Sequence, residues 1–282
     1  MWFNPKKFIA YGKWIFRLFF VAGILFCNAL LPVGAATENP PGEVMNGKPV
    51  VLIIADKLDA EGFFNTQLPG IRRYLETSTV GLMNVRSGVG YVSSSGILTL
   101  GSGNRSIFPP DLSVNQRKNQ RTTSNDPRSY WEWSLGLLHT SAGGIVVPEI
   151  GWILSQSAED GNSGYTGLLG TVAHQHGWRT YLVGNGSNQA TSNQPSALLL
   201  MDRKGLIDGG DIGSEIERFD PKFPYGYRFD RQRVMTDLRH WIAPKRLIAV
   251  NFGDFARLDT YREEMLPQQF ERVEQSVWRD FD

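Results

Sequence analysis

The chain has 282 residues, 41% of them hydrophobic and 12% aromatic, a composition that buries a sizeable core and excludes both a disordered chain and a small stapled scaffold. Its 29 basic and 28 acidic residues give a formal charge of +1, yet residues 1–36 hold four of the bases (Lys6, Lys7, Lys13, Arg17) and no acid. Residues 37–282 are therefore net −3, with 25 basic against 28 acidic side chains, and lack the positive excess that nucleic-acid binding requires.

Residues 1–17 form a basic leader, residues 18–31 are about 14 largely apolar positions, and PVGAA at 32–36 supplies small residues for cleavage. The pattern predicts a secretory signal peptide; an uncleaved membrane anchor is the alternative, because the flanks can lengthen the run. Either way the protein is expected to be exported, or held at the extracellular face of the cell membrane or envelope. The only cysteine, Cys27, lies in this segment, so the remainder has neither disulfides nor thiolate chemistry. Residues 37–48 (TENPPGEVMNGK) read as a polar linker, and one α/β domain is expected over 49–282.

Residues 50–55 are continuously apolar, as in a parallel strand covered on both faces, and end at Asp56. Leu68, Ile71, Tyr74 and Leu75 recur at helical spacing, predicting a helix over 63–78, with a strand at 79–85. Ser93 or Ser94 is expected to cap a short helix through Leu100, with Gly101 and Gly103 as its stop. Residues 108–130 read as a surface excursion whose Arg117, Lys118, Arg121 and Arg128 make either an anion-attracting flap or a solvated loop. A helix over 164–176 closed by Gly177 and a strand at 179–183 follow. A hairpin of 197–201 and 206–207, a helix over 231–242, a strand over 246–252 and a helical segment over 261–281 complete the pattern. Such alternation predicts a mostly parallel central sheet with helices on both faces. The eight tryptophans, Trp131, Trp133 and Trp152 among them, fit core and rim positions or a sugar-stacking face.

Four segments in this order resemble the alkaline phosphatase superfamily of phosphatases, sulfatases and phosphomutases: VLIIAD (51–56), GYVSSSGILTLGSGNR (90–105), LLGTVAHQHGWRTYLVGNG (168–186) and VNFGDFARLDTYR (250–262). More closely, LTLGSGNR at 98–105 resembles a bacterial cell-envelope branch. The resemblance implies an alkaline phosphatase-like fold, covering about 49–282 and continuing in a longer protein. It implies a metal-dependent phospho- or sulfo-ester hydrolase acting on a small phosphorylated or sulfated envelope molecule, with Zn or Mn held by hard carboxylates. By that resemblance Asp56 matches the first metal ligand and Asp254, with Asp259 one of the two carboxylates left in the later segment, is the second candidate; Ser93 and Ser94 are the candidate nucleophiles, and Asn104 and Arg105 the candidate substrate-binding pair.

The chain also departs from that pattern. The family's register places Tyr91 at the nucleophile, so Ser93 and Ser94 come late and serve equally as helix caps. Asp56 fits a strand-end acid bonding nearby amides as well as a ligand. In the later strand Ala256 and Arg257 stand near the position of a ligating Asp, and Tyr261 stands at a His; Arg257 puts positive charge where a cation should sit. All four histidines, His139, His174, His176 and His240, precede that strand. A catalytically incomplete domain, or a non-catalytic binding or interaction domain of the envelope, is the expectation that results.

Overall fold

The computed structural model describes residues 47–81, 83, 92–108, 117–118, 144–159, 165–186 and 195–282, all within the compact unit Gly47–Asp282. The expected leader, Tyr91, His139, Trp131, Trp133, much of the 79–85 strand and most of the 108–130 excursion lie outside the described residues. Strands β1 (Val50–Ile54), β2 (Arg117–Lys118), β3 (Ile145–Val146), β4 (Arg179–Gly184), β5 (Leu206–Ile207), β6 (Gly209–Asp211), β7 (Glu217–Phe219), β8 (Tyr227–Phe229) and β9 (Arg246–Asn251) alternate with helices. The helices are α1 (Ala60–Asn65), α2 (Pro69–Thr77), α3 (Ser93–Ser102), α4 (Ile150–Glu159), α5 (Leu168–Gln175), α6 (Ala197–Leu200), α7 (Arg231–Trp241), α8 (Asp254–Thr260) and α9 (Pro267–Phe281).

The central sheet runs β1-β9-β4-β6 and is parallel throughout, as the alternation of apolar strands and amphipathic helices predicts. Register fixes the two faces. Leu52, Ala249 and Leu182 align across the sheet and pack beneath α3, α5 and α6, while Ile248, Val250, Tyr181 and Val183 face α7, α8 and α9. Each fully buried Leu or Ile contributes roughly 1.5–3 kcal/mol of transfer free energy, so these two layers carry most of the stability. Two smaller antiparallel groups, β2-β3-β5 and β7-β8, lie outside this sheet. No helix among the described residues is long and apolar enough to cross a membrane.

Several elements differ from the sequence expectation. The helix expected over 63–78 is two helices, because Pro69 at the start of α2 has no N–H to extend a preceding helix. Asp59 caps α1, its carboxylate accepting from the Glu61 and Gly62 amides. The hairpin expected from 197–201 is instead the buried helix α6; a short apolar run suits either geometry, and tertiary packing decided. Its partner β5 pairs with β3. Within the region expected to be a surface excursion, Arg117 and Lys118 form a strand against β3.

Close approach holds α6 in place. A Cβ on Gly101 of α3 would lie 2.5 Å from the Leu198 carbonyl oxygen, and one on Gly170 of α5 would strike the Leu200 carbonyl. Gly101, expected as a helix stop, thus lies inside α3 as a packing residue. The stop is Gly103, which adopts the left-handed φ of 62° that glycine accommodates without strain.

Candidate functional site

Ligands of open parallel sheets bind past the carboxyl ends of the strands, and here that edge gathers the Ala55–Asp56 end of β1, Phe252–Gly253–Asp254 after β9, and Asn185–Gly186 after β4. The strand ends approach closely. Gly184 has φ 114°, and a side chain there would collide with the Asn251 carbonyl, so the Gly-Asn-Gly turn is what lets β4 lie against β9 at this edge.

Asp254 opens α8 and is completely buried. Both of its carboxylate oxygens accept from the Phe229 amide at 3.1 Å, and Oδ1 also accepts from Arg257 Nη1 at 3.0 Å. Arg257 is 2% exposed; its Nη2 donates to the Asn185 carbonyl at 2.8 Å and to Glu217 of β7. Arg228 of β8 stands on the other side, 4.0 Å from Asp254, and is itself paired with Asp280 of α9 at 2.7 Å and Asp220 at 3.4 Å. Burial pushes the Asp254 carboxyl up, opposed by the Arg257 charge and the Phe229 amide, and burial likewise raises Glu217 against the same guanidinium. An ionised carboxylate this deep is tolerable only because it is paired and hydrogen-bonded.

Asp56 has a different setting. It is half-buried after β1, and among the described residues no hydrogen bond or ion pair engages its carboxylate. The next residue, Lys57, takes a left-handed φ of 62° and reaches Asp259 of α8 at 3.7 Å, tying this turn to the element that carries Asp254 and Arg257. Beside the turn lies an apolar cleft of about 410 Å³ walled by Ile53, Leu58, Phe63, Ile71, Tyr74 and Phe281.

The six residues singled out from sequence do not converge. Ser93 and Ser94 occupy the first turn of α3, where Val92 is the cap residue and makes no side-chain bond. The adjacent Ser95 is wholly buried and locked to the Phe108 backbone, accepting from its amide at 2.9 Å and donating to its carbonyl at 3.0 Å. Asn104 and Arg105 follow the far end of the same ten-residue helix, about 15 Å from the serines at 1.5 Å rise per residue. There the Asn104 side chain accepts from the Arg105 amide at 2.9 Å. Asp56 and Asp254 share the sheet edge, but Asp254 is turned inward to its partners.

A divalent metal needs several oxygen or imidazole donors converging on one point. The donor set here does not fit Zn or Mn, because the Asp254 oxygens are engaged by an amide and a guanidinium. Among the described residues no cluster of three or more His, Cys, Asp or Glu side chains is arranged to hold a metal ion. Glu217 and Arg228 were missed by the sequence reading. Both sit on strands of three residues, too short to leave a periodic signal, and no local spacing links them to Asp254. No protein-family model, curated protein or solved structure matches this chain.

Proposed function

We propose that this chain is an alkaline phosphatase-like domain in which a protein guanidinium has taken the place of a metal ion, leaving a non-catalytic binding or interaction domain of the cell envelope. The observation that carries the proposal is Arg257, buried among the Asp254 carboxylate, the Glu217 carboxylate and the Asn185 carbonyl. Those are three oxygen donors of the kind a hard cation recruits, here satisfied by a fixed internal charge. The resemblance locates Arg257 where positive charge belongs, and its burial supports that placement. Export, by signal peptide or anchor, puts the domain where its partner is an envelope component, with a small phosphorylated or sulfated molecule as the ligand class to try first.

Titrating Zn²⁺ and Mn²⁺ calorimetrically into folded protein spanning residues 37–282 tests the proposal. No stoichiometric uptake is expected, and no turnover of phosphomonoesters or phosphodiesters. Tight binding that disappears in Asp56→Ala, accompanied by turnover, would overturn it in favour of a hydrolase. That second reading draws on one observation, the Asp56 carboxylate left unengaged among the described residues at the end of β1.

A further inference from the structure

On the opposite, amino side of the sheet, His174 of α5 is held between two acids. Its Nε2 lies 2.9 Å from Asp208 Oδ2 and its Nδ1 lies 3.4 Å from Asp202 Oδ2. Asp202 precedes β5 and Asp208 follows it, so one ring touches both ends of the span that carries β5. The acids are anchored in turn. Asp208 Oδ2 accepts from the Thr180 amide of β4 at 2.8 Å, and Asp202 Oδ1 accepts from the Lys204 and Leu206 amides at 2.8 and 2.9 Å.

A neutral imidazole carries one N–H, so with a carboxylate oxygen at each nitrogen one contact would set lone pair against lone pair. Neither neutral tautomer satisfies both contacts; the imidazolium does. We propose that His174 is a charged latch that fastens the Asp202–β5–Asp208 span to α5 and to the head of β4, and that its deprotonation in alkaline solution releases that span.

The surroundings agree. The titratable and charged groups on the elements packed around the ring are His176 just past α5, Arg179 and, on the far face of the sheet, Tyr181 on β4, Asp202, Arg203 and Lys204 before β5, and Asp208 after it; α3 and α6 carry none. Bonds to Asp202 and then Asp208 raise the His174 pKa from 6.5 to about 9, against the opposing effect of burial. For Asp208, burial favours the neutral acid, but the bonds from His174 and Thr180 outweigh it and hold the pKa below the ordinary 3.8. The latch is therefore closed from acid solution to well above neutrality. Since β5 pairs with β3, its release loosens the junction between the central sheet and the β2-β3-β5 sheet.

The test uses the full chain labelled with ¹³C at histidine Cε1, which gives one resonance for each of its four histidines. His174→Asn identifies the relevant signal by its loss. The expected midpoint is about 9, with the Ile207 and Asp208 amide protection factors, corrected for intrinsic exchange, falling about tenfold as the ring deprotonates. Asp208→Asn should lower the midpoint; should that variant fail to fold, Asp202→Asn, whose oxygen lies farther from the ring, should lower it too. A midpoint near 6.5 would overturn the charged state, and a midpoint near 9 with unchanged protection would overturn the release.

Discussion

Arg257 engages two carboxylates and a carbonyl while almost entirely shielded from water, so its removal would leave buried Asp254 with only the Phe229 amide and the more distant Arg228 to offset its charge. Breaking one half of such a pair costs on the order of 3–5 kcal/mol, whereas replacing both halves by apolar groups of similar volume is close to neutral. Arg257→Met should therefore lower the unfolding free energy in urea by about that amount, and the Arg257→Met/Asp254→Leu double variant should recover much of it. Additive losses would show that the guanidinium contributes packing and not charge balance. His174 gives the residue scale its pH dependence. Its pKa is raised on folding, so the stability it contributes is fully present below the unfolded value of about 6.5 and is lost as pH rises through about 9. The stability difference between wild type and His174→Asn should be flat below about pH 6.5 and vanish above about pH 9, read from urea midpoints across that range.

At the scale of elements, the α6 contact offers a clean opposition of effects. Ala in place of Gly inside a helix gains about 1 kcal/mol of intrinsic propensity, and overpacking against an immovable group costs about 1–3 kcal/mol. At Gly101 the new methyl would meet the Leu198 and Leu199 carbonyls, so Gly101→Ala should destabilise; at Gly96 of the same helix it would meet nothing among the described residues, so Gly96→Ala should stabilise. Thermal midpoints moving the same way for both would refute the tight α3–α6 packing. This contact also marks how far the sequence was legible. Strands β1, β4 and β9 and helices α5 and α7 carry long apolar or amphipathic patterns, and the Gly103 and Gly177 stops announce themselves chemically, so each was readable locally. Helix α6 was not, since Ala197–Leu200 is apolar on every side and its conformation is set by the glycines that grip it. The candidate site was half legible for the same reason. A motif register can single out Asp56 and flag Arg257 as a misplaced cation, but Glu217 and Arg228 reach Asp254 only through tertiary folding.

At the scale of the whole molecule, the described residues of the central sheet are unevenly buried. On the face covered by α7, α8 and α9, burial is complete at Ile248 of β9 and lapses one strand away, where Ile53 of β1 is 63% exposed and Val51 is 40% exposed. Among the described residues β1 pairs only with β9, and the apolar cleft and Asp56 lie beside it. Among the described residues the Arg257 network fills the β9 side of the carboxyl-end crevice, while Asp56 and the apolar cleft lie on the β1 side. Ile248→Ala should therefore cost about 2–5 kcal/mol, as for a deeply buried aliphatic, and Ile53→Ala less than about 1 kcal/mol, in proportion to the smaller area it buries. Denaturant unfolding of the two variants at several protein concentrations makes the comparison. Equal costs at all concentrations would mean that β1 is covered within the same chain. A cost at Ile53 that grows with concentration would mean that a second copy covers the edge, and the crevice would then belong to an interface.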